Sequence, residues 1–216
     1  VELRRRTLGE HHPDTLDATG DAAKALYRIS DFDAAEHMYA DMLAAQREQF
    51  GSDDARTLST MISLAALYKA RAQYDAAGDL FAEVLESRRR VLGEHKFTAS
   101  GLRRLASIRV YQERFEDAEK LHRELIALET RLHGSDSQPV FDAMQLLGHG
   151  FQQAGRLDES EKMCSELLER HTTLYGRDHS KTLKSIMRLA FTKWRLNKYP
   201  EAEALFREAW DRSPAV

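Results

Sequence analysis

The segment LGEHHPDTL, residues 8–16, holds two adjacent histidines, acidic residues on both sides and a proline. Related segments follow it along the chain: FGSDDARTL at 50–58, LGEHKFTAS at 92–100, HGSDSQPVF at 133–141 and YGRDHSKTL at 175–183. Their glycines are Gly9, Gly51, Gly93, Gly134 and Gly176, which are 42, 42, 41 and 42 residues apart. The segment is therefore one copy of a fivefold repeat, and a repeat of this length indicates a stacked array of similar units.

Two further kinds of residue recur at fixed distances from each glycine, once one deleted residue is allowed in the third copy. Small residues allow two helices to approach closely, and large residues nine positions later fill the space between them. A polar break lies between the segment with the small residue and the segment that starts at the large one. A glycine follows the end of this second segment, as glycine commonly does in a left-handed conformation after a helix. We therefore predict a pair of helices in every repeat. The small residues are Ala23, Ala65, Ala106, Gly148 and Ala190, and the large ones are Phe32, Tyr74, Phe115, Leu157 and Tyr199.

The composition narrows the range of functions. Charged residues make up 31% of the 216 residues, and the net charge of −3 is not typical of a nucleic-acid-binding protein. The single cysteine, Cys164, excludes an internal disulfide and favours a cytoplasmic location. No apolar run approaches the roughly 20 residues of a membrane span. The sequence therefore predicts neither a nucleic-acid partner nor a membrane partner.

The repeat resembles the tetratricopeptide repeat (TPR) in its 42-residue, kinesin light chain-like form. The residues that carry this resemblance in the second copy are Met61, Leu64-Ala65, Tyr68, Ala77 and Phe81. The resemblance implies an all-α, right-handed α-solenoid of five helix-turn-helix repeats. We predict one continuous array over residues 1–216, in which 1–8 end a preceding helix. The predicted repeats are 9–50, 51–92, 93–133, 134–175 and 176–216.

The resemblance also implies a concave groove lined by the first helices, and the repeat register projects the residues that line it. The projected groove is basic in its middle and aromatic near the C-terminal end. We expect Arg103 and Arg104 to face solvent. The predicted peptide- or partner-binding residues are Lys69, Arg103, Arg104, Tyr111, Arg188, Phe191 and Trp194.

Met187, Phe191 and Trp194 fall at i, i+4 and i+7, so they form one stripe on a helix face. Three interpretations are open for this stripe. It anchors a ligand, it is covered by another segment or a second copy of the chain, or the helix is rotated and Trp194 belongs to the core.

The sequence favours a non-catalytic protein-protein interaction module that binds a peptide or helix, and this module is expected to be a segment of a larger regulatory or scaffold protein. Arginine and lysine in the groove indicate an acidic partner. The alternative is a structural or autoinhibitory segment that packs against another domain of its own chain. No catalytic residues, metal ligands or cofactor are predicted. His11 and His12 are interpreted as loop residues, and Cys164 as a buried, inert packing residue.

Overall fold

The computed structural model describes residues 1–10 and 12–213, which form helices and short connections without a strand. Leaving α1 aside, first helices of 16 residues alternate with second helices of 19 residues, except that α11 has 13. The helices are α1 (Glu2–Leu8), α2 (Pro13–Arg28), α3 (Phe32–Phe50), α4 (Ala55–Ala70), α5 (Tyr74–Leu92), α6 (Lys96–Tyr111), α7 (Phe115–His133), α8 (Gln138–Gln153), α9 (Leu157–Tyr175), α10 (Ser180–Arg195) and α11 (Tyr199–Asp211).

The chain divides into two compact units, Val1–Gln112 and Glu113–Val216. In the first unit each helix from α2 to α6 packs on its neighbours in sequence, and α1 packs on α2. In the second unit α7 to α11 follow the same sequential order. The most extensive packing is thus made between helices that are neighbours in the chain, which is the arrangement expected of a helical repeat.

The connections between helices have a regular chemistry. In each pair from α3 to α9, the second helix is followed by a glycine. These glycines adopt positive φ, for example 84° at Gly51. Within a pair, the turn contains a residue such as Ser30 or Ala72 in the left-handed region, with φ of 64° and 58°. Glycine adopts positive φ without strain because it has no Cβ, whereas Ala72 holds a strained backbone conformation at positive φ.

The small residues lie where the sequence predicts them, in the contacts between helices. In the first unit Ala65, Ala77 and Ala106 are fully buried, and in the second unit Ala190 is as well. Large apolar side chains, such as Met61 and Leu85, close the space around them. An all-α fold of the helical repeat solenoid class is confirmed. Within the described residues, no helix is long and apolar enough to cross a membrane.

Three histidines of the inter-repeat loops, His12, His95 and His179, act as helix caps. Nδ1 of His12 accepts a hydrogen bond from the Asp14 amide at 3.2 Å, and His95 and His179 accept equivalent bonds at the starts of α6 and α10. Asp54 does the same for α4 through its carboxylate. Such a bond satisfies one of the amides that the first turn of a helix leaves without a partner. Among the described residues no group of three potential ligands approaches metal-binding geometry; His11 lies outside them.

Candidate functional site

The predicted binding residues of the first unit separate into two clusters. Lys69 on α4 meets Tyr111 on α6, with its Nζ atom 4.8 Å from the centre of the aromatic ring. Tyr111 also stacks on Tyr74, with ring centres 5.1 Å apart and planes inclined by 17°. Tyr111 is half-exposed, so the cluster offers a flat aromatic surface beside a positive charge.

The second cluster contains Arg104, whose guanidinium carbon lies 5.9 Å from the centre of the Phe81 ring. Arg104 is exposed and lies near Arg88, whose pKa is lowered by burial and, secondarily, by the charge of Arg104. The Arg88 guanidinium donates to the carbonyl of Phe97 at 2.8 Å. Two neighbouring guanidiniums repel each other, and a carboxylate placed between them would relieve that repulsion.

Arg103 does not match its predicted exposure. The side chain is half-buried and its Nε atom is shielded from solvent. Leu102 and Ala106, which border it on the helix surface, are both fully buried. The aliphatic stem of Arg103 therefore lies at the edge of the core, as long cationic side chains often do. The expectation of a solvent-facing pair is correct for Arg104 and wrong for Arg103.

In the second unit, the predicted stripe lies on the outside of α10. Met187, Phe191 and Trp194 are 52%, 46% and 51% exposed. The rings of Phe191 and Trp194 stack, with centres 5.8 Å apart and planes inclined by 27°. The core side of α10 is formed by Ile186, Leu189 and Ala190. The interpretation that places Trp194 in the core is therefore wrong.

An ion-pair cluster joins α10 to α9 and α11. Lys193 takes the place of the aromatic residue found in earlier repeats, and its Nζ donates to Glu161 on α9 at 2.6 Å and to Glu201 on α11. Lys198 reaches the other oxygen of Glu161 at 2.7 Å. These bonds, with Lys193 foremost, lower the pKa of Glu161, and the same pairing raises the pKa of Lys193. Because Lys193 points to these acids, Trp194 points away from them.

Next to the stripe, α8, α9 and α10 border a partly open cavity of ≈ 190 Å³. Arg188 on α10 is exposed and supplies the positive charge of the cavity lining. The other ionisable side chains of the lining are His149 and Cys164, and the remaining residues are apolar or uncharged. The cavity is lined by Met144, Gln145, Gly148, His149, Gln152, Met163, Cys164, Leu167, Met187, Arg188 and Phe191.

Cys164 borders this cavity where other repeats carry an aromatic residue. It is the eighth residue of α9, and the eighth residues of α3 and α5 are Tyr39 and Phe81, which are buried. Burial raises the pKa of the Cys164 thiol, so it stays protonated, and its sulfur lies 3.8 Å from Oγ1 of Thr192. Sequence reasoning noted the missing aromatic at Cys164 but did not infer the cavity beside it.

The sequence of this chain matches the model of the tetratricopeptide repeat at residues 53–131 and 140–214. No curated protein sequence is similar enough to count as a relative. Among solved structures, a kinesin light chain candidate of Podosopora anserina with nearly identical TPR-like repeats is similar over 93% of this chain and 96% of its own, at 19% identity and a TM-score of 0.80.

Two other solved structures share the fold. BtubC (BKLC) of P. vanneervenii is similar over 98% of this chain and 85% of its own, at 22% identity and a TM-score of 0.74. The apo form of RapI is similar over 91% of this chain and 69% of its own, at 12% identity and a TM-score of 0.72. At these identities the likeness establishes the fold alone.

Proposed function

Because the chain belongs to the tetratricopeptide repeat family, whose proteins are generally non-enzymatic and mediate protein-protein interactions, we propose that it is a non-catalytic module that binds a peptide or helix. The observation that carries this proposal is the exposed stripe of Met187, Phe191 and Trp194 beside an apolar cavity. Contiguous exposed apolar surface of this kind tends to mark a contact with a partner. A cytoplasmic site of action is part of the same proposal.

The second unit supplies the anchor for the ligand. A large apolar side chain of the partner enters the cavity, where Met163 and Met187 adapt to its shape because methionine is flexible and polarizable. The stacked rings of Phe191 and Trp194 cover the neighbouring part of the partner. Arg188, exposed at the same cavity, pairs with a carboxylate near that apolar side chain.

The first unit adds a preference for negative charge. Cations lie next to aromatic rings at two points of this unit. Lys69 lies beside Tyr111, and Arg104 lies beside Phe81 and near Arg88. Acidic or phosphorylated residues of a partner are the groups that such points attract. Arg103 contributes less, because its stem is packed at the edge of the core. The proposed ligand is thus an acidic peptide with one large apolar side chain.

A displayed library of random peptides, panned on the whole chain, tests this proposal. Peptides that are enriched should combine an apolar residue with acidic ones, and their affinity is then measured by fluorescence anisotropy. We expect Trp194→Ala to weaken binding by about thirtyfold, which corresponds to about 2 kcal/mol for an anchoring tryptophan. Arg188→Glu should weaken it as well.

The matched control is Trp210→Ala, because Trp210 is the other tryptophan of the chain, is exposed, and lies on α11 away from the cavity lining. It should leave the affinity unchanged. The proposal fails if no enriched peptide depends on Trp194, or if Trp210→Ala weakens binding as much as Trp194→Ala does. Circular dichroism of each variant verifies that the helices are intact.

A further inference from the structure

Three consecutive arginines, Arg88–Arg90, lie near the end of α5, and the first of them has no acidic partner. The second and third pair with the carboxylates of Glu86 and Asp53. Arg88 instead donates to the main-chain carbonyl of Phe97 at 2.8 Å. Among residues 1–10 and 12–213, no carboxylate forms an ion pair with Arg88, although its side chain is half-buried. A charge that is removed from water without a counter-charge is unfavourable, so this position favours an anion from outside the chain.

The repeat register shows why Arg88 lacks a side-chain partner. It is the fifteenth residue of α5, and the fifteenth residues of α3 and α9 are hydrogen-bonded to a hydroxyl at the sixth residue of the next first helix. The pairs are Gln46–Thr60 at 2.7 Å and His171–Ser185 at 2.8 Å. The sixth residue of α6 is Gly101, which has no side chain to offer. Most of the N–H groups of Arg88 are therefore left for another acceptor.

A second cation approaches Arg88 from the neighbouring helix. Arg104 on α6 is exposed, and its guanidinium carbon lies 5.9 Å from the centre of the Phe81 ring on α5. Phe81 and Arg88 are seven residues apart, so they lie on the same face of α5. Arg104 is the neighbouring charge that acts on Arg88, and within the described part of the chain Arg104 has no ion pair of its own. Arg88 and Arg104, here called the arginine pair, thus bring two positive charges together without an acid.

The surface beside the arginine pair is aromatic and also cationic. The Phe97 ring is 48% exposed, and the guanidinium carbon of Arg88 lies 5.4 Å from its centre. The Nζ atom of Lys96 lies at the same distance from this ring. Lys96 is exposed and likewise forms no ion pair with a described residue. This part of the first unit is therefore positive, although the whole chain has a net charge of −3.

We infer that the arginine pair binds the phosphoryl group of a phosphorylated serine or threonine in the partner. The inference rests on the proposed function, in which the partner is a peptide. Guanidinium groups present forked N–H donors that match the spacing of phosphate oxygens. A phosphorylated side chain carries a charge of about −1.5 to −2 at pH 7, which neutralises both cations, whereas a carboxylate neutralises one. Phosphorylation of the partner then creates the group that this unit binds.

Inorganic phosphate tests the arginine pair without any peptide. Thermal melting of the whole chain is compared in sodium phosphate and in sodium chloride of equal ionic strength. Phosphate at several times its dissociation constant should raise the melting temperature of the unaltered chain by about 2–4 °C relative to chloride. Arg88→Gln and Arg104→Gln should lose this shift. General stabilisation by phosphate affects every variant alike, so the difference between variants carries the result.

The matched control for this measurement is Arg90→Gln. It removes a neighbouring arginine that already pairs with Asp53, and it should keep the phosphate shift. Arg104 is exposed, so Arg104→Gln should keep the fold and decides the outcome even if Arg88→Gln unfolds. A shift of equal size in the unaltered chain and in Arg104→Gln would overturn the inference.

Peptide pools then test the source of the phosphoryl group. Three pools, random except for a central serine, phosphoserine or aspartate, are passed over the immobilised whole chain. The phosphoserine pool should be retained about tenfold more than the serine pool, as expected for two charge-assisted contacts. This preference should disappear in Arg104→Gln and persist in Arg90→Gln. It should also persist in Trp194→Ala, even though that variant weakens the proposed apolar anchor.

The remaining outcomes separate this inference from the proposed function. Equal retention of the aspartate and phosphoserine pools would overturn it, because the arginine pair would then accept any carboxylate. Vesicles of phosphatidylcholine and phosphatidylserine that sediment with the chain only when Arg104 is present, without a preference for the phosphoserine pool, would overturn it in favour of a lipid surface. A phosphoserine preference in peptides that ignore Trp194 would support the inference while contradicting the proposed anchor.

Discussion

Replacing Cys164 with phenylalanine should fill the cavity between α8, α9 and α10 and remove the proposed anchor site. The aromatic ring would stand at the eighth position of α9, where Phe81 stands in α5. It would point into a space of ≈ 190 Å³ that Gly148 and Met163 border. Binding of a peptide side chain and occupation by the new ring are then mutually exclusive.

The expected change in stability follows from the volume. Cavity formation costs about 24 cal/mol per Å³, which sets a ceiling near 4.5 kcal/mol for filling a closed cavity of this size. Because this cavity opens to solvent and a ring fills only part of it, we expect the free energy of unfolding to rise by about 1–2 kcal/mol. This is within the range for burying one apolar side chain. Denaturation by urea measures the gain. Affinity for a peptide that needs Trp194 should fall at least tenfold, by about 1.4 kcal/mol.

Cys164→Ser is the matched control, because serine is of similar size and places a hydroxyl beside Thr192 where the thiol stands. It should leave the cavity open and the peptide affinity unchanged. If Cys164→Phe lowers the stability by more than about 1 kcal/mol, the ring is overpacked and the cavity is not shaped to receive it. If the variant is more stable and still binds the peptide with full affinity, the ligand does not use the cavity.

Ala77 is fully buried between helices, so Ala77→Leu should overpack the contact and lower the free energy of unfolding by about 1–3 kcal/mol, measured by thermal melting. His122 is buried and its pKa is lowered from 6.5 to about 4, mainly by burial, so the unfolded chain takes up a proton below pH 6.5 and the folded chain does not until about pH 4. Stability should therefore fall by about 3 kcal/mol over that interval, and His122→Phe, compared by urea denaturation at several pH values, should lack this component. Affinity for an acidic peptide should decrease with rising salt, and Arg104→Glu combined with Lys69→Glu should lower it further; binding that ignores both changes would show that these cations do not contact the ligand.

The repeat made the helices predictable from sequence. A glycine every 41 or 42 residues fixes the ends of the second helices α3, α5, α7 and α9, and buried alanines such as Ala65 fix which faces meet. The same register projected Trp194 onto the outer face of α10 but left a rotated helix with Trp194 in the core as an alternative, which its exposure of 51% excludes. These features depend on positions within a helix, which the sequence contains directly.

Other features depend on how neighbouring side chains share space, and the repeat register does not contain that. The half-buried state of Arg103 follows from its contact with the edge of the core. The cavity is formed jointly by side chains of α8, α9 and α10, of which Cys164 is one. His12 caps a helix because its Nδ1 atom reaches a main-chain amide, which requires one particular orientation of the ring.

One position of the repeat illustrates how such an array acquires different properties without a change of fold. The eighth residue of the second helix is Tyr39, Phe81, His122, Cys164 or Phe206. Tyr39 and Phe81 are buried aromatic residues; His122 is buried with a pKa lowered by desolvation, and Cys164 borders a cavity. At Phe206 the same side chain is exposed and becomes part of a surface. Each repeat contributes its packing mainly to its neighbours, so a departure from the aromatic at one copy alters local chemistry while the remaining copies maintain the helices.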